Sequence, residues 1–294
     1  MRESFVEFYH LRSFVAVAQT GNLTQAAKRL YTTPPAISAH IKSLEAELAT
    51  PLFIRSSKGM ALTEKGQLLL TKAQVTLDSA VDLVNLAAEN QHEIIGTFKL
   101  GNNLGVEQVK LAEFAENLQE NCPGISLVIR QQSSGKTLND IRNQQLDGGY
   151  VFGEIPDDFI SVIAMEQTIT TIAPLTFDVS QTLTASELGQ QPWVMMGEYC
   201  PFDELLKDKL GKNIASVLKS SDDGTRLELV KKSFGLSFIT LEEAQLAEKD
   251  NFVRIIPSLN FTAPLHFVIA KNRAQDPVIK ALLQEVRILW HQQV

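Results

Sequence analysis

The chain has 294 residues, 44% of them hydrophobic and 21% charged, which leaves room for two or three domains of ordinary globular composition. Its net charge of −7 argues against an indiscriminate polyanion binder. The charge is uneven: residues 1–65 hold eight Lys/Arg against five Glu, a net +3, and the rest hold nineteen basic against twenty-nine acidic residues, a net −10. A basic module on an acidic body suits directed DNA binding with little non-specific sticking.

The first predicted element is a helix from about Phe5 to Thr20, with Phe8, Leu11, Phe14, Val15 and Ala18 on one apolar face. Gly21 suits the left-handed position that ends a helix. Asn22 then caps a short second helix, Leu23 to about Leu30, with Gln25 as the reciprocal capping partner. Ala26 and Ala27 let another helix approach closely. Tyr31-Thr32-Thr33 forms the turn, Thr33 is the N-cap, and Pro34 fits a first helical position that needs no N–H. The third helix runs to about Leu48 with Ile37, Ile41, Leu44 and Leu48 inward. Pro35, Ser38, Ala39 and Lys42 face outward, with His40 on the flank.

A strand at Leu52–Arg55, a turn at Ser56–Gly59 and a return strand at Met60–Leu62 follow. Two helices, a capped recognition helix and a small basic hairpin make a winged helix-turn-helix, which seats one helix in the major groove of DNA. Ser38 and His40 can hydrogen-bond base edges, Lys42 guanine or phosphate, and the Ala39 methyl can touch thymine. Arg55 and Lys58 place positive charge where phosphates lie. Asn22 and Thr24, at a helix N-terminus, are further phosphate contacts, and Thr33, Pro34 and Pro35 complete the expected DNA-facing set.

This segment resembles the N-terminal domain of LysR-type transcriptional regulators. The resemblance rests on Leu11, Phe14, Ala18, Gly21-Asn22, Ala26-Ala27, Leu30, Pro35-Ala36-Ile37-Ser38, Ile41, Leu44-Glu45, Leu48, Pro51-Leu52-Phe53, Arg55 and Leu62-Thr63-Glu64-Lys65-Gly66. The chain departs from the pattern at four places. Asn22 stands where Ser is usual, Pro34 where Gln is common, Ala39 where Arg is common, and Ala49 where Gly is common.

From Glu64 to about Gln91 no proline interrupts, and Gly66 lies in the first turn. Leu70, Leu77 and Val84 are seven apart, as are Ala73, Ala80 and Ala87, giving the 3-4 repeat of a coiled-coil seam. A helix lying on its own domain is the alternative. A dimer helix is favoured, because two recognition helices need a fixed spacing on a two-fold site. The resemblance implies the same use for this helix.

Beyond Gly96 strands alternate with helices. Strands are expected at Thr97–Gly101, Ile125–Gln131, Gly149–Phe152, Ile169–Ala173, Trp193–Met196, Ser216–Lys219, Leu236–Thr240, Val253–Ile256 and Leu265–Ala270. Helices fit between most of them, so α/β subdomains with largely parallel sheets are expected. Cys122-Pro123-Gly124-Ile125, Leu146-Asp147-Gly148-Gly149 and Val230–Ile239 resemble the family's effector domain, with Ser233 in place of a usual glycine. The resemblance implies two lobes like those of periplasmic solute-binding proteins, with crossings near Glu166 and Pro264.

Ligands in such folds sit at strand C-termini against helix N-termini. Asn102, Asn103, Ser133, Ser134, Cys200 and Ser221 are the expected effector contacts, beside Glu198 and Tyr199. No Lys or Arg stands out in these loops, so the charge of the ligand is open. Cys200 occupies roughly the segment of the reactive thiol in peroxide-sensing family members. Its only companion, Cys122, is 78 residues away, so a pocket-lining thiol is preferred to a redox switch.

The five histidines, His10, His40, His92, His266 and His291, show no metal-ligand spacing, and no P-loop, G-x-G-x-x-G or G-x-S-x-G occurs. No enzyme activity, metal or cofactor is expected. The N-terminus lacks a signal-peptide pattern, and no apolar run reaches 18 residues, so a cytoplasmic protein without membrane contact is expected. The expected organisation is a winged helix-turn-helix over 1–63, a linker helix over 64–93, and a two-lobed effector domain over 94–294. Lobe I covers about 94–165 and 265–294, and lobe II about 166–264. The resemblance further implies a bacterial homodimer assembling to a homotetramer. Its implied partners are double-stranded DNA with two-fold-related sites, a small-molecule effector and RNA polymerase.

Overall fold

The computed structural model describes residues 6–56, 59–87, 93–102, 104–178, 183–197, 200–211 and 214–290. The chain divides into two units, Met1–Glu89 and Asn90–Val294.

In the first unit α1 (Phe8–Thr20), α2 (Leu23–Arg29) and α3 (Pro34–Glu47) precede a hairpin of β1 (Phe53–Ser56) and β2 (Gly59–Leu62), and α4 (Glu64–Asn85) follows. Phe14, Val17, Ala26, Ala27, Ile37, Ile41, Leu44 and Leu52 fill the core. Packing on α2, α3 and α4 widens the buried arc of α1 to include His10, Ser13 and Val17, and leaves Phe8 exposed.

Local chemistry sets the boundaries. Gly21 has φ 65° and its N–H donates to the Val17 carbonyl. The Asn22 side chain accepts from the N–H groups of Thr24 and Gln25 at 2.8 and 3.1 Å. The expected reciprocal bond from Gln25 is replaced: the Asn22 N–H donates to Thr20 Oγ1 at 3.4 Å. Thr33 and Thr63 cap α3 and α4, accepting from Ala36 and Gly66.

The wing is fastened at both ends. Glu45 Oε1 accepts from the N–H groups of Leu52 and Phe53 at 2.7 and 3.2 Å, tying α3 to β1. The Met60 N–H donates to the Gly21 carbonyl at 2.8 Å, and a Cβ on Gly59 would lie 2.6 Å from that same oxygen. At the start of α4 a Cβ on Gly66 would come within 2.2 Å of the Leu52 carbonyl, so only glycine fits there.

The second unit has a six-stranded sheet in the order β4-β3-β5-β10-β6-β9. Its strands are β3 (Gly96–Asn102), β4 (Ile125–Gln131), β5 (Gly148–Phe152), β6 (Phe159–Pro174), β9 (Ser237–Thr240) and β10 (Val253–Ala270). A second, two-stranded sheet pairs β7 (Trp193–Met195) with β8 (Ser216–Lys219) and meets β9 through a bridge from Trp193 to Leu236. The helices are α5 (Leu111–Asn121), α6 (Ser134–Arg142), α7 (Ala185–Gly189), α8 (Asp203–Leu210), α9 (Asp223–Lys231), α10 (Leu241–Lys249) and α11 (Pro277–Leu289).

Two expectations change. The sheet is mixed rather than largely parallel: β3 runs parallel to β4 and β5, while β10 is antiparallel to β5 and β6, and β6 to β9. The separate strands expected at Val253–Ile256 and Leu265–Ala270 are one strand, and residues 159–168, expected as no strand, extend β6. Pro264 reads as a strand break because it cannot donate to a ladder. Here it sits opposite Glu166 beside a register shift at Leu265/His266, and pairing continues on both sides.

The Leu146–Gly149 motif has a packing reason. Asp147 accepts from the Lys99 N–H at 2.8 Å and from Arg273 Nη1 at 2.7 Å. A Cβ on Gly149 would lie 2.6 Å from the Gly101 carbonyl, so the glycine lets β5 approach β3. Among the described residues no helix is long and apolar enough to cross a membrane.

Ala49 and Ser233, two places where glycine is usual, have φ 48° and 64°. Each follows a helix in the left-handed cap position, where the next N–H reaches back to Glu45 and Leu229 respectively. A side chain in that conformation costs about 1–2 kcal/mol. Ala49→Gly and Ser233→Gly are therefore each expected to raise unfolding free energy by about 1 kcal/mol, measured by denaturant unfolding.

Candidate nucleic-acid interface and effector cleft

The outward face of α3 is assembled at its N-terminus. Thr33, Pro34 and Pro35 are exposed, Ser38 is half-buried, and Ala39 and Lys42 are exposed. Asn22 and Thr24 are exposed at the start of α2, and Arg55 on the wing. Arg55 Nη2 donates to Ser38 Oγ at 3.2 Å, so wing and recognition helix are joined by a side-chain hydrogen bond. Lys58 lies outside the described residues. Tyr31 stands in the turn expected before α3. It has φ 53° and is 98% exposed, which puts its ring and hydroxyl in solvent just before α3.

His40 has a different setting from its neighbours. Its Nδ1 is 2.8 Å from Ser13 Oγ, and its ring lies 4.9 Å from Tyr9 and 5.5 Å from His10. His10 is buried, with Nδ1 3.2 Å from Glu47 Oε1, a charge contact without hydrogen-bond geometry. The base contact expected of His40 is thus limited to its other nitrogen. Burial lowers the His40 pKa, and His10 adds to the effect. The histidines look scattered along the chain, yet packing of α1 on α3 brings two together.

The expected α4 seam divides. Ala73 is buried, and Leu70 and Leu77 pack with Leu69 against the winged-helix core of the same chain. That half of the seam packs in part on its own core, with Leu70 and Leu77 half-buried. Ala80 is half-buried, and Leu83, Val84 and Leu86 are 72%, 62% and 70% exposed. Ala87 is also exposed.

In the second unit a cavity of about 10 Å³, room for one water, is lined by Leu104, Phe152, Ile169, Met196, Phe202, Asp223, Arg226, Phe238, Ile239 and Thr240. These residues come from both the β3–β5 side and the β7–β9 side. Two side-chain hydrogen bonds span the same gap: Gln108 Nε2 to Thr240 Oγ1 at 2.9 Å and Gln131 Nε2 to Asp222 Oδ1 at 3.2 Å.

The expected effector residues flank this cavity in sequence, but none of those among the described residues lines it. Asn102 closes on its own loop, with Nδ2 donating to the Leu104 carbonyl at 2.8 Å and Oδ1 accepting from the Leu104 N–H. Ser133 is buried at the N-cap of α6, and Ser134 Oγ accepts from the Phe152 N–H at 3.0 Å. Cys200 Sγ accepts from the Phe202 N–H at 3.4 Å. Ser221 is exposed, while Ser220 and Asp222 bond at the α9 N-terminus instead. Asn103, Glu198 and Tyr199 lie outside the described residues. Cys122 is buried, and burial pushes its thiol up, with Glu285 adding to the effect.

Arg226 was not anticipated. It is 1% exposed, pairs with Asp223 at 2.7 Å, and donates to the carbonyls of Ser220 and Phe238, both at 3.1 Å. In the sequence it is one half of an i,i+3 charge pair on a short polar helix, the usual pattern of a solvated surface. Only the packing of β9 shows that it is inside.

Residues 8–67 match the model for the bacterial regulatory helix-turn-helix proteins of the lysR family, and residues 91–289 match that for the LysR substrate binding domain. The chain belongs to the LysR family. It is a LysR-type transcriptional regulator, with a DNA-binding winged helix and a substrate-binding domain. A probable RuBisCO transcriptional regulator from Synechocystis sp. is 24% identical, over 94% of this chain and 84% of that one. The fold is also similar to the probable transcriptional regulator PA0477 from Pseudomonas aeruginosa, with a TM-score of 0.71 at 14% identity, over 96% of this chain and 97% of that one. Full-length CbnR in complex with its target DNA gives 0.63 at 18% identity, over 96% and 99%.

The lowered His40 pKa carries a sign. The unfolded chain binds a proton near the ordinary value of 6.5, and the folded regulator binds it only at lower pH. Stability of this corner is therefore present above that value and is lost as the pH falls below it. Amide protection factors in α1 and α3, corrected for the intrinsic pH dependence of exchange, should fall as the pH drops below that value, and His40→Gln should flatten the change. Equal pH dependence in both proteins would exclude His40 as its source.

Proposed function

We propose that this regulator reads a two-fold-related double-stranded operator with α3 in the major groove, and that a small molecule held between the two lobes adjusts that binding. The observation that supports it is the outward face of α3, where Ser38 and Lys42 stand beside a wing whose Arg55 is already bonded to Ser38. Ser38 and Lys42 supply base contacts. Arg55, Lys58, Asn22 and Thr24 hold phosphates, with Tyr31 adding a hydroxyl at the edge. Thr33, Pro34 and Pro35 set the approach of the helix, and His40 contributes through Nε2.

The remaining organisation follows the same reading. The winged helix covers 1–63, the linker helix 64–93 and the effector domain 94–294, with lobe I at about 94–165 and 265–294 and lobe II between. The regulator works in a bacterial cytoplasm as a homodimer that assembles to a homotetramer, with RNA polymerase as a further partner. The exposed C-terminal half of α4 is the dimer contact, centred on Val84 with Leu83, Ala87 and Ala80. The effector cleft adjoins the loops of Asn102, Asn103, Ser133, Ser134, Cys200 and Ser221.

Two experiments test the reading. Ser38→Ala or Lys42→Ala should weaken operator binding at fixed salt by about 1–3 kcal/mol while leaving thermal unfolding unchanged. Unaltered affinity in both variants would remove α3 from the groove. Val84→Glu places like charges face to face in a dimer, so sedimentation should show a smaller assembly. An unchanged assembly would move the main contact elsewhere.

A further inference from the structure

We propose that the cleft takes a small organic carboxylate with an apolar, preferably aryl, body, and that Arg226 is the partner of the carboxylate. The inference rests on the reading that the effector binds in this cleft. It adds the chemical class of the ligand.

The guanidinium is the argument. Arg226 is 1% exposed and lines the cavity. Nη1 and Nη2 are bonded to Ser220, Asp223 and Phe238, but Nε is buried with no hydrogen-bond partner among the described residues. A buried donor on a cation without an acceptor is costly, and an oxygen brought by a ligand relieves it. An ionised oxygen relieves it most, because charge-assisted bonds are the strong ones. Asp222, Asp223 and Glu243 all interact with this guanidinium, but Asp223 is bonded to Nη2 and, among the described residues, no acceptor reaches Nε. The open donor on a cation favours an anion over an amine.

The rest of the wall sets the body of the ligand. Phe152, Phe202 and Phe238 line the cavity, and the Phe202 ring lies 5.3 Å from Phe152, 5.9 Å from Phe238 and 5.1 Å from Phe261. A ligand ring can take up edge-to-face contacts of the same kind. Room for one water means that entry requires Phe202 to move and the lobes to part. The bonds Gln108–Thr240 and Gln131–Asp222 are neutral or single side-chain contacts, so parting them is a modest step.

The test uses the full chain and calorimetric titration with three near-isosteres: phenylacetate, phenylacetamide and 2-phenylethylammonium. Phenylacetate should bind at least tenfold more tightly than the amide and the amine. Arg226→Met should abolish that preference. Asp223→Asn removes the internal competitor for the guanidinium and should tighten phenylacetate binding several-fold. Absence of phenylacetate binding at millimolar concentration, an equal or better amide or amine, or an unchanged preference in Arg226→Met would overturn the proposal. If Arg226→Met loses its cooperative thermal transition, Asp223→Asn decides, and no gain there overturns it. Operator binding is measured on the same samples. Retained operator binding with failed ligand preference refutes the ligand class alone, while loss of operator binding by the wild type refutes the regulatory reading.

Discussion

The substrate-binding domain hangs on one ladder. β6 and β10 run antiparallel over almost their full lengths, from Ala270 opposite Phe159 to Val253 opposite Pro174. One end of this ladder continues through β5 into β3 and β4, and the other through β9 toward β7 and β8. Both lobes therefore share two strands, and any change in their separation must be accommodated along that pair. Glu166 faces Pro264 close to the middle, where the proline supplies no N–H and the register shifts one residue later. A wider irregularity lies between Ile256 and Phe261, so the ladder changes register at two places.

Much of the winged helix was legible because its determinants are local. Gly21, Asn22, Thr33, Pro34 and Thr63 each act within four residues of where they stand, so spacing alone placed the end of α1 and the starts of α2, α3 and α4, while α4 ends at Asn85, short of the Gln91 expected. Non-local facts were not legible in the same way. The extension of β6 through 159–168 depends on a partner a hundred residues away, and Pro264 pointed against it. The heptad in α4 was visible, but period alone does not say which surface it meets, and Leu70, Ala73 and Leu77 meet their own core. Arg226 is the clearest case: its sequence context is that of a surface helix, and burial comes from β9, a strand that joins the sheet from later in the chain.

Charge is used differently in the two units. Lys42 and Arg55 are exposed, so the field of their charges is screened by salt. Arg226 is buried with its guanidinium 5.2 Å from the Phe238 ring, where each hydrogen bond it makes is stronger and each missing one is felt. One chain thus carries cations in two dielectric settings, one wet and screened, the other buried.

The bond from Arg55 to Ser38 has a consequence for how the hydroxyl is presented. The bond uses one lone pair of the Ser38 oxygen and leaves its O–H free to donate. That hydrogen is turned away from the guanidinium before any partner arrives. A displacement of the wing changes which way the hydroxyl points, so hairpin and helix are coupled through one pair of side chains.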